Sequence, residues 1–556
     1  KALRFNTSGT GNQAFGFEAL LNTNTGSRNA AVGYQSLRTN TTGTGNTAMG
    51  YRALYANNTN ANNVAIGDSA MVANVAASNT AIGAKALRNN TSGTGLFAGG
   101  FQALVANTTG LNNTAIGYQS MNKNTVGFEN TAVGHQALFS LVTGFTNTAV
   151  GHQSLYTNTG SDNTALGYRT LYLNTTGGSN TALGQSTMYN NTTGTYNVAT
   201  GKAAMYNNTT GNNNAALGYS ALLTNTAGSS NTAMGFHALR LNATGNFNVA
   251  VGDSALQATT VSNLTAVGSR ALRNNTTGLY NTAIGYRTML ANTTGGFNTA
   301  IGFEALRSNT TANGNVAIGY FALKANATGP NNIAIGNYAL ENTNNSTNVA
   351  IGSFALQTNV TGNNLTALGD GTSVSADGFF NSTVIGNSGI INASNKVRLG
   401  DGAVTVVEGQ VAYSFPSDGR FKRDIQDDVK GIDFIMKLEP VSYTFDRLAF
   451  SHHIGATPDA AKAETLTAQS EQRQIGFIAQ DVERAVVESG FESFDGVHAP
   501  ENEHDNYSVA YSQFVVPLVK AVQELNTTVE GLKAVNAAQQ QMIDSLIAEI
   551  KSLKEE

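Results

Sequence analysis

A glycine returns every seventeen residues through most of this chain. Gly16, Gly33, Gly50, Gly67, Gly83, Gly100 and Gly117 open a series that runs to Gly386, and four of its steps are sixteen residues long. The segment around each glycine reads N-T-A-h-G-Y-x-A-L-x-x-N-T-T-G-x-x, with h an aliphatic residue. A fixed period of this kind decides the architecture before any local reading does. The unit is too short for a pair of helices, and its Asn-Thr-Thr-Gly stretch breaks any helix that starts.

Each column of the repeat has a physical reading. The h column (Val32, Met49, Ile66, Ile82, Ile116, Ile284, Ile301) is apolar, as is the column four residues after the glycine (Leu37, Leu54, Met71, Leu87, Leu104). Small residues precede both, as with Ala48 and Ala53 or Ala65 and Ala70, and small side chains let backbones approach. Asn40 and Asn46 mark the two ends of a turn, where asparagine tolerates left-handed backbone and bonds to its own main chain. The expectation is a coil of two short strands and two turns, stacked into a parallel β-roll or β-solenoid of about 23 coils with an aliphatic stripe inside. At about 4.8 Å per coil, the steps from Gly16 to Gly386 make a rod of roughly 100 Å. In the four short coils, such as Gly67 to Gly83, the missing residue falls between the two Asn positions, where turns absorb length changes. The Ala and Gly columns predict a flat small-residue face that packs against copies of the chain. Segments such as NVAIG at 63–67 and 315–319 resemble the head repeats of trimeric autotransporter adhesins, a resemblance that implies a left-handed parallel β-roll and a trimer.

Composition narrows the function. Residues 1–386 carry 16 Lys and Arg against 9 Asp and Glu, the remainder 15 against 26, and the whole chain has a formal charge of −4. The basic residues of the first part stand singly, which speaks against a nucleic-acid surface. There is no cysteine, so disulfides and thiolate metal sites are excluded. No apolar run reaches the ~18 residues of a membrane span. Neither paired carboxylates nor a phosphate loop is visible, and no cofactor is implied. His135 and His152 share one column; filling an aromatic slot is the preferred reading over a metal site on a symmetry axis. The many N-x-T sequons read as a turn ladder rather than glycan acceptors. The Thr rows do not form the uninterrupted flat array of an ice-binding solenoid.

The chain opens at Lys1-Ala2-Leu3, and aligning Leu3 with Leu37 places this start mid-repeat. The expectation is a fragment or processed product whose base or particle-docking domain lay upstream.

Beyond the rod the character changes. A β connector is expected over 387–416, with short strands in VRLG, AVTVV and QVAYSF. A small α+β domain follows over 417–513: a helix at 431–438, a strand at 441–446, a loose loop over 452–472, and a strand running into a helix from Gln474. Residues 514–556 read as a helix and coiled coil, with Leu518, Val522, Leu525, Val529, Leu532, Asn536, Gln539, Ile543, Leu546, Ile550 and Leu553 at four- and three-residue spacing. Four motifs occur in order: SDGRFK, EPVSYTFD, QIGFIAQDVE and YSVAYSQFVVPLVKAVQEL. Together, over about residues 417–525, they resemble the C-terminal intramolecular chaperones of endosialidase tailspikes, related to domains at the ends of many phage tail fibres. That resemblance implies a domain that trimerises, helps the fibre fold and is then cut off by a Ser–Lys self-cleavage. The heptads alone favour two strands in isolated parallel coils; the resemblance implies three, and the body's symmetry would impose that number.

On this resemblance Ser417 is the nucleophile and Lys422 the base. A serine hydroxyl needs a base to take its proton, and lysine serves only if desolvation or a neighbouring cation lowers its pKa. Arg420, inside the motif, is a possible supporting residue, either depressing the lysine or holding an oxyanion. Cleavage is expected beside Ser417, among Pro416, Ser417 and Asp418. Attack on the Pro416 carbonyl passes through a comfortable ring and attack by Ser417 on its own carbonyl through a strained one; the resemblance points instead to the Ser417–Asp418 bond. The functional expectation is a homotrimeric tail fibre of a phage or similar particle, extracellular or on the virion surface, binding a host-surface glycan or protein. The alternative is a bacterial filament or adhesin that keeps its C-terminal domain as a trimerisation cap.

Overall fold

From Gln13 to Ile351 each coil of the rod is built round a three-residue strand such as Thr47–Met49 or Thr181–Leu183. The computed structural model describes residues 1–411 and 413–555; Ala412 of the expected connector and Glu556 of the expected coiled coil lie outside them. The protein is a β-solenoid of about 23 turns at roughly 17-residue spacing, followed by a small region of helices and short strands that ends in a long helix. Two compact units divide the chain, Lys1–Asn348 and Val349–Glu556.

In the first unit twenty strands, from Gln13–Phe15 to Ile333–Ile335, pair in parallel with like residues opposite one another. Ala31 faces Ala48, and Ala65 faces Ala81 across a short coil. Alternation along such a strand turns its middle alanine inward and its two neighbours outward. Ala31, Ala48 and Ala65 are accordingly 0 % exposed, with Leu37, Leu54 and Met71 beside them.

This corrects the expected interior. The aliphatic h column faces out, with Val32 at 41 % and Ile82 at 44 % exposure. One large side chain per coil fills the core instead of two, and the outer face is aliphatic rather than made of small residues. Aromatic side chains next to the glycines stack along it, as in Phe17–Tyr34–Tyr51 at 5.3 and 5.4 Å. His135 and His152 belong to such a row, their rings 4.8 Å apart and nearly parallel between Tyr118 and Tyr168.

The expected second strand per coil is missing from the first unit. Its place is taken by turns with left-handed residues, among them Leu37 at φ 49° and Gln35 at φ 54°. Their main-chain groups still bond to neighbouring coils: Leu37 N–H donates to the Ala53 carbonyl, and Gln35 N–H to the Phe17 carbonyl. Buried backbone polar groups are thereby paired without a ladder. Only glycine tolerates the column itself. Gly134, at φ 140°, sits so close to the next coil that an added Cβ would meet the Gly151 carbonyl oxygen at 2.4 Å.

Asparagine fills the rest of the interior. Asn180, Asn197 and Asn214 form one buried row, each amide accepting from the next coil's Asn N–H and Nδ2. Asn174, Asn191 and Asn208 form a second row. The sequon asparagines Asn40, Asn57, Asn90 and Asn107 lie in that second row at 0 % exposure, whereas Asn89 and Asn112, also in N-x-T sequences, are exposed. Short coils lose their residue between the two rows, as expected. Asn57 Nδ2 reaches the carbonyl three residues on, whereas Asn74 and Asn158, in short coils, reach the carbonyl two residues on.

The second unit opens with four parallel strands, Val349–Ile351, Asn363–Leu368, Phe380–Ile385 and Val397–Leu399. Here a second strand per coil does form, Ser373–Val374 against Ile390–Ile391. The AVTVV and QVAYSF segments form no strand among their described residues; Val406, Val411, Tyr413 and Phe415 are exposed. Alternation alone does not make a strand without an edge to bond to, and none of the strand pairings among the described residues includes them.

Among the described residues five α-helices follow: α1 Ile432–Ile435, α2 Arg447–His453, α3 Ala460–Ser470, α4 Ala479–Ser489 and α5 Val515–Glu555. α3 replaces the loop expected over 452–472. Asp459 caps it by accepting from Lys462 N–H at 2.9 Å, its alanines favour helix, and only Leu466 is buried, too weak a stripe to be read as periodicity. Val441–Thr444 pairs antiparallel with Arg473–Gly476, joining the second and third motifs. Phe434, Val482, Ala485, Phe491 and Phe514 form the core between α1, α4 and α5. The stripe of α5, from Leu518 and Val522 to Ile550 and Leu553, is exposed. No helix among the described residues is long and apolar enough to cross a membrane.

Candidate functional site

Five residues of extended chain would carry Lys422 up to ~17 Å from Ser417. A single turn of 3₁₀ helix, Gly419–Phe421, brings it back. Asp418 caps that turn, its carboxylate accepting from Arg420 N–H at 2.9 Å and its carbonyl from Phe421 N–H at 3.1 Å. Lys422 N–H closes the turn on the Gly419 carbonyl at 3.2 Å. The result is a direct hydrogen bond from Lys422 Nζ to Ser417 Oγ at 2.8 Å.

The Arg420 side chain lies against Asp418. Its guanidinium forks onto Asp418, Nη2 to Oδ2 at 2.6 Å and Nε to Oδ2 at 2.9 Å. This fork, with the Arg420 N–H, holds the Asp418 carboxyl below the usual carboxylate range, and the arginine is raised in return. Gly419 has open space where a Cβ would be and no left-handed backbone to require glycine.

Anchors downstream fix the loop to the domain. Asp427 pairs with Lys520 of α5 at 2.8 Å, and Glu524 one turn on accepts from Ile432 N–H at 2.7 Å. Sequence reasoning singled out none of these; their only signal was acidic and basic residues placed outside the heptad positions. It also passed over Asp505, which is fully buried and receives Lys396 Nζ at 2.7 Å and His498 Nε2 at 2.8 Å. Burial raises this carboxyl, but the bonds from Lys396, Glu501 N–H, His498 and Asn506 N–H together bring it far below the ordinary range.

Ser417, Lys422 and their apolar neighbours Phe415, Phe421 and Ile425 are all exposed. Chemically, the arrangement is a serine hydroxyl in direct hydrogen-bond contact with a lysine amine. Among the described residues no group of three or more His, Cys, Asp or Glu side chains is placed to hold a metal ion.

The family model of the peptidase S74 type, described as chaperone of endosialidase, matches residues 417–491. The matched segment starts on Ser417 and takes in the 3₁₀ turn, the antiparallel strand pair and α4. No curated protein matches the chain.

Proposed function

We propose that this chain is a homotrimeric fibre for attachment to a surface, a phage or phage-like tail fibre, whose C-terminal domain directs trimerisation and folding and is then released by self-cleavage beside Ser417. The observation that carries this reading is the Lys422 Nζ–Ser417 Oγ contact of 2.8 Å at the first residue of the matched chaperone segment. In the cleavage step neutral Lys422 takes the hydroxyl proton while Oγ attacks an adjacent carbonyl carbon. If that carbonyl is Pro416's, an ester replaces the peptide bond and the Ser417 nitrogen leaves as an amine. Water then hydrolyses the ester, leaving a Pro416 carboxylate and restoring the hydroxyl.

Lysine ordinarily titrates near 10.4, so the base needs water excluded from it. A trimer supplies that cover. The exposed Tyr413, Phe415, Phe421 and Ile425 are the side chains that neighbouring copies would press round the dyad. Trimerisation is further supported by the outward aliphatic column, by the exposed AVTVV and QVAYSF segments, which form no strand among their described residues, and by the α5 stripe, which from Leu518 to Leu553 runs about 53 Å at 1.5 Å per residue. In this reading α5 forms a three-stranded coiled coil. The ligand of the rod would be a host-surface glycan or protein, and the working location outside the cell or on a particle.

The second reading, a bacterial filament with a retained trimerisation cap, is favoured by the exposure of both dyad residues in the single chain. Intact mass and denaturing gels of the trimeric wild type and Ser417→Ala separate the two. Wild-type fragments meeting beside Ser417, with the variant uncut, support the fibre and identify the bond; uncut chains in both leave the cap.

A further inference from the structure

The contacts that fasten the chaperone to the last coils avoid the stretch in which the chain is expected to be cut. On the rod side they come from Asn392, Lys396, Arg398, Asp401 and Gly402; on the chaperone side from α2, α3 and the 502–506 loop. Asn392 Nδ2 donates to the His504 carbonyl at 2.9 Å, and Asn502 Nδ2 donates to the Asn392 carbonyl at 3.0 Å. Arg447 Nη1 donates to the Gly402 carbonyl at 2.9 Å, and the Arg398 guanidinium lies 5.6 Å from the Phe450 ring centre. Two ion pairs complete the seam with opposite polarity. Lys396 of the rod binds Asp505 of the chaperone, and Asp401 of the rod binds Lys462 of the chaperone.

We propose that this seam is a polar latch: cleavage beside Ser417 severs the chain but leaves the chaperone fragment docked on the end of the fibre, so that release takes a second step, governed by ionic strength. The proposal rests on the self-cleaving reading above. Its physical basis is that the reciprocal pairs specify one partner and one orientation. Asp505 is fully buried, so losing Lys396 removes its ammonium partner and leaves the buried carboxylate to His498 and main-chain N–H groups alone. Lys462 and Asp401 are partly exposed, at 26 % and 16 %, and are open to screening, whose range falls from ~10 Å at 0.1 M salt to ~3 Å at 1 M.

The test uses the full-length chain after it has cut itself, with size-exclusion chromatography run at low salt and at about 1 M salt and each fraction read on a denaturing gel. The two fragments co-elute at low salt and separate at high salt. Asp401→Lys or Lys462→Asp alone separates them at low salt, and the double exchange restores co-elution; Lys396→Met also separates them. Wild-type fragments that part at low salt, fragments that stay together at high salt, or single reversals that stay docked overturn the latch. A second chain, Ser417→Ala with a protease recognition sequence inserted after the exposed Glu408, is cut by added protease and run in the same way. If the wild type never cuts itself, the self-cleaving reading fails while this second chain still decides the latch.

Discussion

Replacing Asn197 by alanine probes what holds the interior of a coil that has only one large apolar side chain. The Asn197 amide makes four bonds: Nδ2 donates to Asn180 Oδ1 at 3.1 Å and to the Gly211 carbonyl at 2.9 Å, and Oδ1 accepts from Asn214 N–H at 3.0 Å and Asn214 Nδ2 at 3.2 Å. Most partners keep a second bond after the change. Asn180 Oδ1 retains Asn197 N–H, Gly211 retains Asn208 Nδ2, and Asn214 Nδ2 retains the Gly228 carbonyl. The main-chain N–H of Asn214 loses its acceptor. A buried orphan donor costs ~1–3 kcal/mol, and the vacated side-chain volume adds about 1 kcal/mol. At 1.4 kcal/mol per decade, the total of ~2–4 kcal/mol speeds local opening about 30-fold to several hundred-fold. Because a solenoid couples only nearest neighbours, the change is confined to the coils on either side. Hydrogen exchange read by mass spectrometry on peptides covering residues 198–217 measures it, with residues 100–130 as the remote control. Asn197→Leu costs less, because Leu96 and Leu264 already sit buried in this same row at 2 % and 1 % exposure. Exchange at residues 198–217 within about twofold of wild type in Asn197→Ala would refute the reasoning, as would acceleration spread evenly along the rod.

Three further outcomes follow from the geometry. Lys422→Arg abolishes cleavage as fully as Ser417→Ala, because arginine stays protonated, whereas Gly419→Ala cuts at close to the wild-type rate; time-resolved gels check both. Gly134→Ala costs several kcal/mol, since backbone strain of ~1–3 kcal/mol is joined by a Cβ pressed against the Gly151 carbonyl, and exchange rises in the coils flanking residue 134. Asp505 has its folded pKa lowered, so its contribution is present above the unfolded value near 3.9 and is lost as pH falls below it. Thermal unfolding at pH 5 and pH 2.5 shows a larger acid loss in wild type than in Asp505→Asn.

The period, the buried leucine column and the placement of the short turns were legible because each is a statement about spacing. Which apolar column faces inward was not read correctly, although the clue was present. In a Thr-Ala-h strand an inward alanine forces h outward, and the alanines' constancy marked the crowded side. The absent second strand is different: nothing about leucine announces a backbone at φ near +50°, which is imposed by stacking rather than by propensity. At the site, the Ser417–Lys422 pairing was visible from the motif. The turn that joins them carries the Asp418 cap and the Arg420 fork, contacts between near neighbours that the motif's spacing did not announce. α3 was hidden by composition: alanine-rich and polar, with one buried leucine, it resembles a loop until Asp459 is recognised as its cap.

The short coils have a consequence for assembly. An array of identical coils is a ruler without numbers, and chains laid side by side would match equally well when displaced by one division. The four sixteen-residue turns, set at Gly67, Gly151, Gly252 and Gly336, together with Leu96 and Leu264 in an asparagine row, break that equivalence at unevenly spaced marks. A displaced copy would set short turns beside long ones at several heights at once, so position becomes readable from within the shaft. Restoring the missing residue in all four short coils should therefore raise the fraction of fibres with ragged ends in electron micrographs. An unchanged fraction would mean that alignment is set wholly at the C-terminal end.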